Sequence, residues 1–113
     1  MIISQHAGKI AALNDKLRTT LDPNSGQVML TQGVTSLGNA FVQAALAEVK
    51  AFNVFIEDND PHGEHDFGSF DLAGHKLFFK IDNYDKDMRY GSEDPSDPSK
   101  TARVLTLMLA EEY

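Results

Sequence analysis

Gly68-Ser69-Phe70-Asp71-Leu72-Ala73-Gly74-His75-Lys76-Leu77-Phe78-Phe79-Lys80-Ile81-Asp82 is the stretch that decides the fold. From Lys76 to Asp82 the residues alternate. Leu77, Phe79 and Ile81 face one way, and Lys76, Phe78, Lys80 and Asp82 the other, which is the period of a half-buried strand. Ala73-Gly74 reads as a two-residue turn, with glycine supplying a positive φ, so Gly68–Leu72 pairs back as the first arm of a hairpin. Phe78 is the one apolar residue on the polar face and predicts either packing under a loop or a contact surface.

Working outward, residues 5–21 read as a helix, with Ile10, Leu13, Leu17 and Leu21 in one stripe and Ala7 continuing it. Lys9, Lys16 and Arg18 take its wetter side, and Asp22-Pro23-Asn24-Ser25-Gly26 ends it in a turn. Gln27–Thr31 reads as a short strand. A second helix is expected from a Thr35 or Ser36 cap to about Phe55, with Leu37, Phe41, Ala45, Val49 and Phe52 as its apolar stripe, widened by Val42 and Leu46. Residues 83–99 form a long polar segment, of a length that is often functional or mobile. Asp97-Pro98 is expected to start a last helix, apolar nearly all round through Val104, Leu105, Leu107, Met108 and Leu109. The order is α-β-α-β-β-α. It predicts an α+β fold with three helices on a small, mostly antiparallel three-stranded sheet, spanning 1–113 as a single domain.

Composition narrows the chemistry. The 113 residues are 42% hydrophobic and 24% charged, close to the globular average. There is no Cys, so disulfides, zinc-thiolate sites and thiol nucleophiles are excluded. The net charge is −7, and it is unevenly spread: residues 57–97 carry twelve acids against four bases. Direct nucleic-acid binding is not expected, because no cluster of Lys and Arg is present to neutralise phosphates. Anionic membranes are disfavoured for the same reason. A basic protein surface or a cation would be attracted to the acidic stretch. Met1-Ile2-Ile3 is followed at once by polar residues, so no signal-like apolar run is seen and a cytoplasmic location is expected.

The densest polar constellation is Asp58-Asn59-Asp60-Pro61-His62-Gly63-Glu64-His65-Asp66-Phe67-Gly68. Three readings compete. Counted from Asp58, acids at positions 1, 3, 7 and 9 with Gly63 at position 6 follow a calcium loop. His62 at position 5 and Ser69 at position 12 depart from it. Alternatively, His65 and His62 with Asp60 or Asp66 could hold a transition metal. Glu64 would then serve as base and His75 as a distant third ligand, although His-x-x-His is too short for the helical zinc motif. In the third reading the segment is structural, its Asp and Asn side chains closing turns and His65 bridging a carboxylate to the backbone. Tyr84, Arg89 and Tyr90 add residue types enriched at binding hot spots, or they close the edge of the core. No nucleophile elbow and no phosphate-binding glycine loop is present.

The runs Asp58–Gly68, Phe79-Lys80-Ile81-Asp82-Asn83-Tyr84-Asp85 and Arg103–Tyr113, together with Leu13-Asn14-Asp15 and Val28–Val34, resemble a family of small uncharacterised bacterial proteins. That family is catalogued as a domain of unknown function and is frequent in proteobacterial genomes and plasmids. The resemblance implies no activity. Its mobile-element setting implies an accessory role, such as binding or blocking a host protein. An aromatic often stands in such proteins where this chain has His62, which leaves Asp58, Asp60, Glu64, His65 and Asp66 as the better candidates.

Two functional expectations follow. The first is a non-enzymatic interaction module, monomeric or homodimeric, that presents Asp58, Asp60, Glu64, His65, Asp66, Tyr84, Arg89 and Tyr90 to a basic partner surface, in one version by mimicking nucleic-acid charge. It requires no cofactor. The second is a domain that binds a divalent cation through Asp58, Asp60, His65 and Asp66, with or without hydrolytic activity.

Overall fold

The structure is a computed structural model and describes residues 5–113. Residues 1–4, on which the reading of the N-terminus rests, lie outside the described residues. Three helices, α1 (Gln5–Thr20), α2 (Gln32–Thr35) and α3 (Asn39–Ala51), accompany four strands, β1 (Gln27–Leu30), β2 (Phe67–Leu72), β3 (His75–Tyr84) and β4 (Ala102–Leu109). The sheet order is β1-β4-β3-β2. β2 and β3 form the expected hairpin, closed by Ala73 and Gly74 at φ 51° and 82° with Leu72 opposite His75.

The expected last helix is a strand. Asp97 and Pro98 do open a helical turn, and Asp97 accepts a bond from the Ser99 amide, but the turn spans only Pro98–Lys100. β4 then runs antiparallel to β3 and parallel to β1. An apolar run of eight residues is ambiguous between a buried helix and a strand covered on both faces. Here Arg103, Leu105, Leu107 and Leu109 alternate with Val104, Thr106 and Met108, and all but Thr106 of these are buried. The sheet is therefore four-stranded and mixed, with β4 and the hairpin strand β3 at its centre and β1 and β2 at its edges.

The expected second helix is also shorter, running from Asn39 to Ala51, and a separate short helix, α2, ends at its expected cap. Gly38, at φ 98°, separates α2 from α3, and Phe52 leaves helical geometry at ψ 129°. Phe52 turns out to pack edge-on against Phe55 and Phe79, with ring centroids 5.2 and 5.1 Å away. One face of the sheet is buried under α1 and α3. Leu77, Phe79, Ile81, Leu105, Leu107 and Leu109 meet Leu17, Val34, Val42, Ala45 and Val49 there. Gly68 sits under the Phe79 ring, and a Cβ there would lie 2.6 Å from Phe79 Cζ and 2.8 Å from Phe52 Cε1.

Among the described residues, no α-helix packs on the opposite face. Phe78, the apolar exception, packs there against Phe67 and Tyr113 at 5.1 and 5.6 Å. The C-terminal turn Ala110–Glu112 is tied back by Glu112, whose carboxylate accepts from the Thr31 hydroxyl (2.6 Å) and from the Gly33 and Leu109 amides (2.9 and 2.8 Å). These bonds hold its pKa below the ordinary carboxylate range.

Gly68→Ala is expected to destabilise the fold by about 1–3 kcal/mol, because two aromatic rings must shift to admit one methyl. A denaturant titration with an unchanged slope and a lower midpoint checks it.

Candidate functional site

α1 turns polar residues as well as apolar ones toward the core. Asn14 and Arg18 are 0% and 4% exposed, on the same side as Ile10 and Leu17. Arg18 was expected on the wet side, and its burial has a local cause. Its Nη1 donates to the carbonyls of Val49 (3.0 Å), Lys50 (3.4 Å) and Phe52 (2.6 Å). These are the orphan acceptors at the end of α3, where a cation also meets the negative end of the helix dipole. Nη2 donates to Asp15 Oδ1 at 2.9 Å, and the guanidinium lies 5.2 Å from the centroid of the Phe55 ring.

Asp15 carries the network on to the 58–66 segment. His65 Nδ1 lies 2.9 Å from Asp15 Oδ2 and 3.0 Å from Oδ1, so this nitrogen carries a proton and donates it. The imidazole stacks on Phe55 at 4.0 Å and 5°. His65 is held at φ 55°, an uncommon conformation for a residue with a side chain. Asp60 stabilises it: Oδ1 accepts from the amides of Glu64 (3.0 Å) and His65 (3.2 Å), and Oδ2 lies 3.2 Å from the same His65 amide. Asn14 Nδ2 donates to the Glu64 carbonyl at 2.9 Å, and Asn14 Oδ1 accepts from Arg103 Nε at 2.9 Å. Arg103 Nη2 donates to the Pro95 carbonyl. One chain of bonds thus joins the 83–101 segment, α1, the 58–66 segment and the end of α3.

The arrangement holds two members of a hydrolytic triad, Asp15 and His65. The third place is taken by a carboxylate, Asp60 Oδ2, 3.8 Å from His65 Nε2, where a hydroxyl or thiol would be needed. Among the described residues no three His, Asp or Glu side chains converge as a metal-ligand group. Asp60 is buried and committed to amides, whereas Asp58 and His62 are exposed and Glu64 and Asp66 only partly covered. Burial raises the pKa of Glu64, with Asp66 and Asp60 adding repulsion and His62 opposing it. Burial likewise raises Asp66, helped by Asp60 and Asp82 against its own backbone hydrogen bond and His62. Asn59 closes the preceding turn, accepting from the Ile56 amide (2.9 Å) and donating to the Val54 carbonyl (2.8 Å).

Tyr84, Arg89 and Tyr90 lie elsewhere, Tyr84 as the last residue of β3 and the other two in the turn beyond it. Tyr84 bridges to Gly91 and closes a turn in which the Asp85 amide donates to the Tyr90 carbonyl (2.8 Å) and the Arg89 amide donates to Asp85 Oδ1 (3.0 Å). Arg89 and Tyr90 are exposed. Tyr84 joins Met29, Met88, Val104 and Thr106 around a groove of about 510 Å³ on the face that no helix covers. Asp85 and Asp87 precede Met88 in the turn, with Lys86 between them and Arg89 following. The remainder of the long polar segment is organised by its own side chains. Ser96 and Ser99 donate to Asp94 (2.5 Å) and Asp97 (2.7 Å), which holds both carboxyls below their ordinary range.

Residues 30–112 match the profile of a family described as Protein of unknown function (DUF3768), and the chain belongs to that family. No curated protein and no solved structure matches it.

Arg18→Ala is expected to cost about 2–4 kcal/mol, since it removes the donor from the Lys50 and Phe52 carbonyls and the cation beside the Asp15 carboxylate. Asp60→Ala is expected to cost about 1–3 kcal/mol by orphaning two amides. Thermal melts check both, and the loss for Asp60→Ala is expected to be the same in chelator and in added zinc or calcium. Glu64 holds its proton to higher pH in the fold than in the unfolded chain. Its contribution is therefore most favourable at low pH and is lost as pH rises through the raised pKa. Glu64→Gln is expected to melt higher than the parent at about pH 7.5 and to converge with it near about pH 4, which a melting series across that range reads directly.

Proposed function

We propose that this protein is a non-enzymatic protein-interaction module that acts in the cytoplasm. It docks the groove beside β1, together with the acids that residues 57–97 hold in excess, onto a basic surface of a partner protein. The observation that supports the reading best is the make-up of that groove. Met29, Tyr84, Met88 and Val104 provide apolar floor on an uncovered sheet face. Met29 and Met88 are 52% and 42% exposed. Flexible methionines and an aromatic suit a contact surface. Asp87 precedes Met88 and is exposed, which suits a Lys or Arg beside an apolar tip.

Charge elsewhere fits this reading. Glu57, Asp58, Asp71 and Asp87 are exposed and form no ion pair with a described residue. In its sharpest form the partner is a nucleic-acid-binding protein whose basic surface takes the acidic segment in place of phosphates. The inward-turned Asp60 and the carboxylate facing His65 Nε2 offer no comparable support for a metal-dependent reaction.

Affinity capture from bacterial lysate with the parent chain and with Met88→Asp and Asp87→Lys tests the proposal. A partner released between about 0.05 and 0.5 M salt is expected. Met88→Asp is expected to weaken its binding at least about ten-fold, as loss of a buried anchor does, and duplex DNA is expected to compete for it. A captured set identical for all three chains, or one indifferent to salt, overturns the proposal.

A further inference from the structure

A second cavity, of about 320 Å³, lies between α1, the turn after it and the start of β4. Its lining contains Lys16, Asn24, Ser25, Lys86, Thr101 and Arg103, and no Asp or Glu. In a chain with 17 acids and 10 bases, three cations without a carboxylate are a marked local reversal. Neither lysine forms an ion pair with a described residue. Arg103 is 5% exposed, and its guanidinium meets only neutral acceptors among the described residues, Asn14 Oδ1 and the Pro95 carbonyl. A buried cation without a counter-charge is costly. Burial alone lowers its pKa, with no carboxylate opposing the shift.

The cavity is also built. The turn that forms its wall seats directly on β4: a Cβ at Gly26 would lie 2.7 Å from the Arg103 carbonyl oxygen and 2.8 Å from Leu17 Cδ2, so only glycine allows the approach. The side chains of Asn24 and Ser25 make no hydrogen bond to a described residue, although the Asn24 amide is held by Asp22 Oδ1 at 2.9 Å. They are free to donate to a ligand. We propose that this cavity is a binding site for a small phosphorylated compound, with Lys16, Lys86 and Arg103 supplying the charge and Asn24 and Ser25 supplying neutral donors. A phosphate group carries up to two negative charges and accepts several hydrogen bonds, which matches three cations in one small space. The volume sits at the lower end of the range for small-molecule pockets, about 300–1,000 Å³, so the ligand is no larger than about a mononucleotide.

Titration of the purified chain with orthophosphate and with adenosine monophosphate, each followed by thermal melting and by amide NMR shifts, tests the site. Potassium chloride at equal ionic strength and citrate are the controls. Saturable stabilisation is expected, with shifts gathered at residues 24–26, 86 and 101–103. Lys16→Ala and Lys86→Ala are expected to fold like the parent and each to weaken binding about ten-fold. Tighter binding of the nucleotide than of orthophosphate would mean that the cavity also holds the organic part. Tighter binding of orthophosphate would confine recognition to the phosphate. A response matched by chloride, one equal in both lysine variants, or one given only by citrate overturns the proposal.

Discussion

The guanidinium of Arg18 is the interaction on which the molecule's polar half depends. It is almost wholly buried, and it closes the end of α3 by donating to the Val49, Lys50 and Phe52 carbonyls while pairing with Asp15. Asp15 in turn anchors His65, and Phe55 is covered by the imidazole and the guanidinium together. Without that cation the Lys50 and Phe52 carbonyls would lose their side-chain donor, and Asp15, which anchors His65, would lose its pairing cation. The acid- and histidine-rich segment is thus held from the helix side by one buried arginine and from its own side by the Asp60 carboxylate.

The sheet adds a second constraint. Placing β4 between β1 and β3 covers one of its faces with helices and leaves the other to short apolar contacts around Phe78, Met108 and Tyr113. Two cavities lie beside the sheet. The 85–90 turn reaches each of them, with Lys86 lining the cationic cavity and Met88 the apolar groove, and Gln27 borders both. A basic pocket and a methionine-lined groove therefore share a wall on a chain whose overall charge is strongly negative.

The hairpin was legible because its signals are local. Alternation in Lys76–Asp82 and the Ala73-Gly74 turn need only neighbouring residues to be read. The structural reading of 58–66 was legible for the same reason, since Asp60 and Asn59 bond amides and carbonyls within five residues. Asp15, Arg18 and Arg103 were not found, because their partners lie tens of residues away. A signal did exist in α1: Asn14 falls four residues after Ile10 and three before Leu17, so a polar residue interrupts the buried stripe.

By itself, the sequence determined the α+β class, the hairpin and its register, the first helix and the concentration of negative charge in 57–97. Each of these follows from residue type and short-range period. Only the tertiary structure decided that Val104–Leu109 is a strand. An apolar run of that length suits a buried helix or a two-sided strand equally, and the choice fell to the unpaired edges of β1 and β3. It likewise decided that Arg18 is buried and that the three cations of the second cavity come together. Charge and burial at such places are set by partners that chain order does not reveal.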